Sequence, residues 1–302
     1  MARTFLPPGT LIQVNGKFSH LQCSGEGSPT VILEAGLDNA GSQVWETVRP
    51  EISQLSRVCA YDRAGIMWSD RGDRPRDADQ IATELHDLLA AAAEPPPYVL
   101  VGHSLGGPLI RVFTHRFRDE VVGLVFVDSS HPEQTERLPS EVLVHQQKSL
   151  RLLLKGIAAF GILRLNTPAP SGVLPPLVEA AVNGYLPQSI EGITEESAVM
   201  ETIFDQAQQT GPFDDLPVVV LSAGKLPDPL PPWISQEAGT QMQKVWAELQ
   251  NELAALSTNI DHRVIIGASH YIQWDDPAAV ITAVSDVVTA HREGTPVRRA
   301  AE

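Results

Sequence analysis

The chain has 302 residues, of which 43% are hydrophobic, and its formal net charge at pH 7 is −15. This length and composition suffice for a sizeable core, and we interpret the chain as one α/β domain with an insertion. An acidic surface repels phosphate, which argues against nucleic acid or an anionic membrane as a partner and favours a neutral or weakly polar small molecule.

The first predicted elements contain both cysteines, Cys23 and Cys59, in apolar stretches that are typical of strands. We interpret them as buried free thiols rather than a disulfide, and their spacing matches no metal site. The first residues lack the apolar core of a signal peptide, and no run reaches the roughly 18 apolar residues of a membrane span. The sequence therefore favours a cytoplasmic enzyme without stable membrane insertion, and it leaves the oligomeric state open.

Short apolar runs predict eight strands in chain order. They cover residues 11–14, 18–23, 31–33, 58–61, 98–101, 121–127, 218–222 and 263–266. From the fourth run onward helical patterns separate most of the strands, at residues 77–92, 105–117, 236–256 and 277–290. This alternation predicts a mostly parallel sheet with helices on both faces. The first two runs are too close together for a crossover helix and predict an antiparallel edge.

The alternation fails between the sixth and seventh predicted strands. Helical patterns and proline-rich breaks occur there without a convincing strand, which predicts a helical cap at residues 130–213. Such a cap would lie over the carboxyl ends of the strands, where open α/β sheets bind ligands. The core then comprises residues 1–129 and 214–302, and residues 291–302 are predicted to form a disordered tail.

The most informative motif, Gly102-His103-Ser104-Leu105-Gly106, follows the fifth predicted strand and precedes a helical pattern. It has the G-x-S-x-G form of a nucleophile elbow, in which glycines flank a serine on a sharp strand-to-helix turn. Such a turn exposes the Ser104 hydroxyl and places the N–H of Leu105 beside it, at the positive end of the helix. The bare pattern also occurs in ordinary turns, but this context favours a serine nucleophile.

Two further motifs accompany the elbow: Gly36-Leu37 after the third predicted strand and Tyr-Asp-Arg-Ala-Gly at residues 61–65 after the fourth. With the strand order, the inserted cap and a late histidine, the chain resembles the α/β-hydrolase superfamily over nearly its whole length. The resemblance is to the single-domain esterase and lyase-like branches. It implies a serine hydrolase with a mostly parallel eight-stranded sheet, and it says little about the substrate.

A serine nucleophile needs a base, and the chain has nine histidines. His270 is the candidate because a short loop separates it from the last predicted strand, at the sheet edge that carries Ser104. His131 is a rival near the same edge. His262 precedes the last predicted strand and would lie at the opposite edge, and we interpret His103 as a packing residue.

The acid that orients the base has two candidates. The resemblance implies an acid after the penultimate strand, but that loop has Pro227 at the expected position and Asp228 one residue later. Asp128 ends the sixth predicted strand, where some lipases of the superfamily carry their acid. A charged residue that closes so apolar a strand needs a partner such as an imidazole, so we favour Asp128 over Asp228. Asp275 and Asp276 are further alternatives.

The candidate donors to an oxyanion are the N–H of Leu105 and, by resemblance, the N–H of Leu37. The superfamily commonly has His-Gly in the loop before this position, whereas the present chain reads Glu34-Ala35-Gly36. A carboxylate near an oxyanion would oppose the reaction unless it points away or is paired, and Arg63 is the candidate partner. We interpret Glu34 as a buried structural residue.

These residues favour hydrolysis of carboxylic esters with small to medium apolar parts through an acyl-enzyme, with no cofactor and no metal. A serine at the elbow argues against the dehalogenases and epoxide hydrolases of the superfamily, which carry Asp there. Carbon–carbon bond hydrolases, perhydrolases, amidases and acyltransferases keep the serine and are alternatives. A small-molecule receptor with a retained triad is an alternative of a different class.

Overall fold

Eight strands form one sheet in the order β1-β2-β4-β3-β5-β6-β7-β8 in the computed structural model, which describes residues 5–143, 172–226 and 229–297. β1 pairs antiparallel with β2, β2 pairs antiparallel with β4, and the other neighbours are parallel. The predicted fold class, a mostly parallel eight-stranded sheet with an antiparallel edge, is therefore confirmed. The strands are Thr10–Val14 (β1), Lys17–Ser24 (β2), Thr30–Glu34 (β3), Val58–Tyr61 (β4), Tyr98–His103 (β5), Val121–Val127 (β6), Val218–Ala223 (β7) and Ile260–Ile265 (β8).

Several helices begin where the sequence supplies a side chain that accepts an otherwise unpaired N–H group. Asp77 accepts from Gln80 at the start of α2, and Ser235 accepts from Ala238 at the start of α8. None of the helices in the described ranges is both long and apolar enough to cross a bilayer. The α-helices are Arg49–Leu55 (α1), Ala78–Ala91 (α2), Gly106–Arg116 (α3), Gln134–Arg137 (α4), Ser140–Leu143 (α5), Pro176–Ser197 (α6), Met200–Gln208 (α7), Gln236–Leu253 (α8), Ile272–Asp275 (α9) and Pro277–Glu293 (α10).

The central strands are apolar on both faces because helices cover the sheet on both sides. On β5, Leu100 packs with apolar residues of α2 and α3. Its neighbours Val99 and Val101 point the other way and pack with residues of α1 and α10. The same alternation on the adjacent strands divides the core into two apolar layers.

The parallel register aligns the carboxyl ends of β5, β6 and β7. His103 pairs with Val127, and Val127 pairs with Leu221. Ser104 N donates to Val127 O at 3.2 Å, and Asp128 N donates to Leu221 O at 2.8 Å. Ser104 and Asp128 therefore leave the sheet side by side.

The segment between β6 and β7 contains helices of two kinds. α6 packs on the loop that follows β4, where Gln188 Nε2 donates to Met67 O at 2.8 Å and to Ser69 O at 2.9 Å. α7 instead packs beside α2 and α3, and its Ile203 and Phe204 lie in the core layer of those helices. Residues 144–171 of the predicted cap lie outside the described residues. Within the described part, the predicted limit at residue 213 does not separate cap from core, because α7 belongs to the core layer.

The two cysteines form a disulfide, Cys23–Cys59, so the prediction of free thiols is wrong. The cysteines are 36 residues apart in sequence, but β2 pairs antiparallel with β4 and sets Cys23 directly opposite Cys59. Apolar patterning identifies each strand but not its neighbour in the sheet, so the sequence did not reveal this pairing.

The prediction of a disordered tail from residue 291 is wrong as far as residue 297. α10 continues to Glu293, and Val297 is buried with its N–H donating to Asn259 Oδ1 at 2.8 Å. Arg292 donates to the carbonyl of Ser28 at 2.8 Å. These contacts fix the segment near the amino ends of β3 and β8. Residues 298–302 lie outside the described residues.

We expect the unfolded but unreduced protein to contain no reactive thiol. Iodoacetamide in denaturant should leave its mass unchanged, and labelling after reduction should add one group at Cys23 and one at Cys59. Reduction should lower the free energy of unfolding by about 2–4 kcal/mol, because the open chain gains conformational entropy. A variant with both Cys23→Ser and Cys59→Ser is the control, since its stability should not respond to reductant. Labelling of the unreduced protein would contradict the disulfide.

Candidate active site

Ser104 lies on the sharp turn between β5 and α3, with φ at +51° in the left-handed region that is strained for a residue with a side chain. Glycines allow the chain to turn this tightly. A Cβ at Gly102 would lie 2.7 Å from the carbonyl carbon of Gly106, and a Cβ at Gly106 would lie 2.5 Å from Glu34 O. The turn therefore has the steric requirements expected of a nucleophile elbow.

Asp128 and His270 are brought together at the same edge of the sheet. Asp128 Oδ2 lies 2.7 Å from His270 Nδ1. Its other oxygen, Oδ1, accepts from Ala223 N at 2.9 Å and from Trp246 Nε1 at 2.8 Å. These donors compensate the buried carboxylate and leave Oδ2 for the imidazole. With Nδ1–H donating to Asp128, the lone pair of His270 is on Nε2.

The His270 side chain is 41% exposed, so its ring is open to an incoming molecule. Ser104 Oγ forms no hydrogen bond with this ring in the described structure. A nucleophile and its base commonly close to hydrogen-bonding distance only when substrate is bound. The geometry therefore supplies an oriented imidazole at the sheet edge that carries the elbow serine.

His103 anchors the loop that carries His270. Its buried Nε2 donates to the backbone oxygen of His270 at 2.9 Å. Burial holds the pKa of His103 well below its usual value, and the neighbouring His270 lowers this pKa further, so the ring is neutral. The interpretation of His103 as a packing residue was incomplete, because only the folded chain shows that β5 and the loop after β8 meet here.

The loop at residues 35–38 lies against the elbow. A Cβ at Gly36 would be 2.9 Å from Ser104 Cβ, so glycine allows this approach. The N–H groups of Leu37 and Leu105 donate to no other described residue. Leu105 precedes the first turn of α3, where the helix dipole favours negative charge. Two amide donors are thus available next to Ser104.

A second link joins this loop to the residue after His270. Tyr271 OH donates to Asp38 Oδ2 at 2.6 Å, and Ala40 N donates to Asp38 Oδ1 at 2.7 Å. Burial raises the pKa of Tyr271, and the charge of Asp38 raises it further, so the phenol remains a neutral donor. Sequence reasoning did not identify Tyr271 or Asp38, and no local pattern would have paired them, since they are far apart in the chain.

Glu34 is buried at the end of β3 and does not stand unpaired near the elbow. Its Oε1 lies 2.6 Å from Arg63 Nη1, and Tyr61 OH donates to Oε2. Burial raises the pKa of Glu34, while Arg63 and Tyr61 oppose that rise. Arg63 also contacts Glu196 of α6, which the sequence did not indicate.

The other candidate residues are engaged elsewhere or lie outside the described part. His131 Nδ1 accepts from Glu133 N at 3.2 Å. His262 lies within β8 rather than before it, and it is hydrogen-bonded to Ser222 Oγ. Asp228 falls in the gap at residues 227–228, outside the described residues.

The two remaining carboxylates have partners close to them in the chain. Asp275 accepts from Ser269 N at 2.7 Å, and Asp276 accepts from Ala279 N at the start of α10. Of the candidate acids that the structure describes, Asp128 is the one that contacts His270.

Two clusters of potential metal ligands occur among the described residues, and neither includes the elbow. One contains the two sulfurs of the Cys23–Cys59 disulfide, which are not available as thiolates. The other joins His131 to Glu133 and Glu252, but Arg137 Nη1 donates to both carboxylates and offsets part of their charge.

Comparison with known proteins gives a family match over most of the chain. The sequence profile of the alpha/beta hydrolase family matches residues 31–283. An uncharacterized protein of Schizosaccharomyces pombe is 27% identical over 308 residues, which cover 89% of this chain and 53% of the relative. The chain thus spans about half the length of that relative. Protein YqjL of Bacillus subtilis is 23% identical, with 91% of this chain and 90% of the relative covered.

Esterase PIR7B of Oryza sativa is 25% identical over 275 residues, which cover 85% of this chain and 94% of the relative. Solved structures share the fold at lower identity. An epoxide hydrolase mutant from Bacillus megaterium has a TM-score of 0.68 at 15% identity, covering 93% of this chain and 100% of its own. Est816, an N-acyl homoserine lactone degrading enzyme, has a TM-score of 0.61 at 16% identity, covering 90% and 97%.

We expect a fluorophosphonate to label Ser104 and no other serine, because the elbow presents this hydroxyl at the sheet edge where Asp128 orients His270. Asp128→Asn should slow labelling by about three orders of magnitude or more, since His270 then loses its tautomer and the charge that stabilises its protonated form. Peptide mapping identifies the site, and the loss of intact unlabelled protein over time gives the rate. Asp228→Asn is the matched control and should label at the original rate. Slow labelling of Asp228→Asn with a normal rate for Asp128→Asn would show that the acid is Asp228, in the loop after β7.

Proposed function

The chain belongs to the alpha/beta hydrolase family, and we propose that it is a serine hydrolase that cleaves carboxylic esters with small to medium apolar parts. The observation that carries the proposal is the hydrogen bond of 2.7 Å between Asp128 Oδ2 and His270 Nδ1, at the edge where Ser104 leaves the sheet. An acid, an imidazole and an elbow serine in this order form the set of groups required for acyl transfer.

In the proposed reaction Ser104 Oγ attacks the ester carbonyl while His270 Nε2 takes the hydroxyl proton. The carbonyl oxygen becomes an oxyanion that accepts from the N–H groups of Leu37 and Leu105. Asp128 stabilises the imidazolium, which gives its proton to the departing alcohol as the carbon–oxygen bond breaks. Water, deprotonated by the same imidazole, then attacks the acyl carbon, and the acid leaves as the bond to Ser104 Oγ breaks and the imidazolium returns its proton to that oxygen.

Several observations support an ester over other substrates of this fold. Ser104 occupies the elbow position at which the family's epoxide hydrolases carry Asp, so opening of an epoxide by a carboxylate has no counterpart here. The rice relative is named an esterase, and Est816 degrades a lactone, which is a cyclic ester. α6 packs across the loop after β4, and we propose that the insertion supplies part of an apolar pocket for the acyl group.

We expect Ser104→Ala to abolish hydrolysis of p-nitrophenyl esters and His270→Ala to be nearly as damaging, because members of a triad act as a unit. The losses should reach several orders of magnitude, while circular dichroism and melting temperature remain those of the folded protein. His131→Ala is the matched histidine control and should keep most of the activity. An inactive His131→Ala beside an active His270→Ala would show that the base is misassigned, and an active Ser104→Ala would end the hydrolase proposal.

We expect repeated turnover on p-nitrophenyl esters graded from acetate to dodecanoate, with a preference for short to medium chains. Burst kinetics with a substrate excess measure turnovers for each molecule of enzyme. Many rapid turnovers agree with an esterase, whereas a single slow turnover would favour the receptor alternative. Matched anilides are the control for amidase activity, since amides have a poorer leaving group. Faster cleavage of the anilides than of the esters would contradict the ester assignment.

A further inference from the structure

The peptide group between Gly36 and Leu37 carries the proposed second oxyanion donor at its nitrogen. Its carbonyl oxygen, Gly36 O, accepts from Arg63 Nη2 at 2.7 Å and from Asp38 N at 2.9 Å. This peptide is not among the cis bonds of the chain. In a trans peptide the C=O and N–H groups point in opposite directions, so a contact that fixes the carbonyl also fixes the direction of the Leu37 N–H.

Arg63 has no freedom to reorient, because all five of its N–H donors are used. Nε and Nη2 donate to the two oxygens of Glu196, each at 2.8 Å. Nη1 donates to Glu34 Oε1 and to Ala35 O, each at 2.6 Å, and the second Nη2 bond is the one to Gly36 O. A planar guanidinium with every donor engaged has one orientation, and its bonds to Ala35 O and Gly36 O fix the loop at residues 35–38.

Burial makes this arrangement sensitive to its charges. Arg63, Glu34 and Glu196 are exposed by only 3%, 1% and 0%. Loss of either acid would leave buried N–H groups of the guanidinium without acceptors, and this desolvation cost would drive Arg63 to seek other partners or water. The position of Gly36 O therefore depends on both carboxylates.

Glu196 belongs to the last turn of α6, 133 residues after Arg63. The position of Gly36 O therefore depends on a residue of the insertion between β6 and β7. The adjacent Glu195 pairs with Arg74, whose side chain is 66% exposed. Two neighbouring acids of one helix thus contact the core in different ways. Glu196 pairs with the buried Arg63, which contacts the loop at residues 35–38, whereas Glu195, itself 10% exposed, pairs with an exposed arginine.

We propose that Arg63 and Glu196 are positioning residues for the oxyanion donor. Arg63 fixes the direction of the Leu37 N–H by donating to Gly36 O. Glu196 of α6 fixes the orientation of Arg63. The cationic donor on the carbonyl also polarises the peptide and strengthens its N–H as a hydrogen-bond donor. This inference rests on the proposed function, since it requires an oxyanion formed at Ser104.

The test compares Glu196→Gln with Glu195→Gln in the full chain. Glu196→Gln should lower kcat on p-nitrophenyl butyrate about tenfold with KM changed less than about twofold, since a misdirected donor acts on the transition state rather than on substrate binding. Affinity for a trifluoromethyl ketone, whose adduct with Ser104 carries the same oxyanion, should fall by the same factor as kcat/KM. Glu195→Gln should leave both quantities unchanged.

Arg63→Lys is the stronger variant, with an expected loss of about 100-fold in kcat, near that for removing one oxyanion donor. A lysine head group cannot serve Gly36 O and two carboxylates in the planar geometry of arginine. Titration with a fluorophosphonate counts the competent sites, so kcat refers to folded protein. If Arg63→Lys does not fold, Glu196→Gln alone decides.

Equal kcat in Glu196→Gln and the wild type, equal losses in Glu196→Gln and Glu195→Gln, or a rise in KM at constant kcat would each overturn the positioning role. Failure of the wild type to turn over any ester is a different result, because it counts against the proposed function. The rate at which the fluorophosphonate labels Ser104 then carries the same comparison, since that reaction also develops negative charge on oxygen. Equal labelling rates in the two Gln variants would reject the inference.

Discussion

The register of the parallel strands is the constraint on which the site depends. His103, Val127 and Leu221 lie side by side across β5, β6 and β7. Ser104 follows His103 and Asp128 follows Val127, so the register alone places these two residues next to each other. Both have positive φ, so each chain turns sharply out of the sheet instead of continuing along it. A slip of the register would separate them, and no side-chain contact could restore their spacing.

The parts of this site that could be predicted from the sequence are those encoded by short local patterns. An apolar strand, two glycines and a helical pattern identified Ser104, and strand position selected His270 and Asp128 as residues at one edge. The choice of Asp128 over Asp228 rested on the resemblance to lipases that carry their acid at this strand end and on a physical rule, namely that a charge closing an apolar strand needs a partner. The structure shows that Asp128 has such partners in His270, Ala223 and Trp246.

The contacts that sequence reasoning missed join residues that are distant in the chain. The Cys23–Cys59 link depends on β2 pairing with β4, which apolar periodicity does not specify. The bonds from His103 to the backbone of His270 and from Tyr271 to Asp38 depend on loops meeting at the sheet edge. The conformation of residues 294–297 depends on the burial of Val297. Composition alone predicts disorder wherever polar residues follow a helix, and tertiary packing overrides it here.

The complete use of the Arg63 donors has a consequence for exchanging insertions between relatives of this fold. A foreign segment that lacked an acid where Glu196 stands would leave two buried N–H groups of Arg63, on Nε and Nη2, without acceptors. A chimera of that kind would lose stability even if its helices had the correct lengths and its pocket suited a new substrate. The foreign segment must therefore be chosen together with the residue at position 63. The unit that can be exchanged between relatives includes this core residue as well as the insertion.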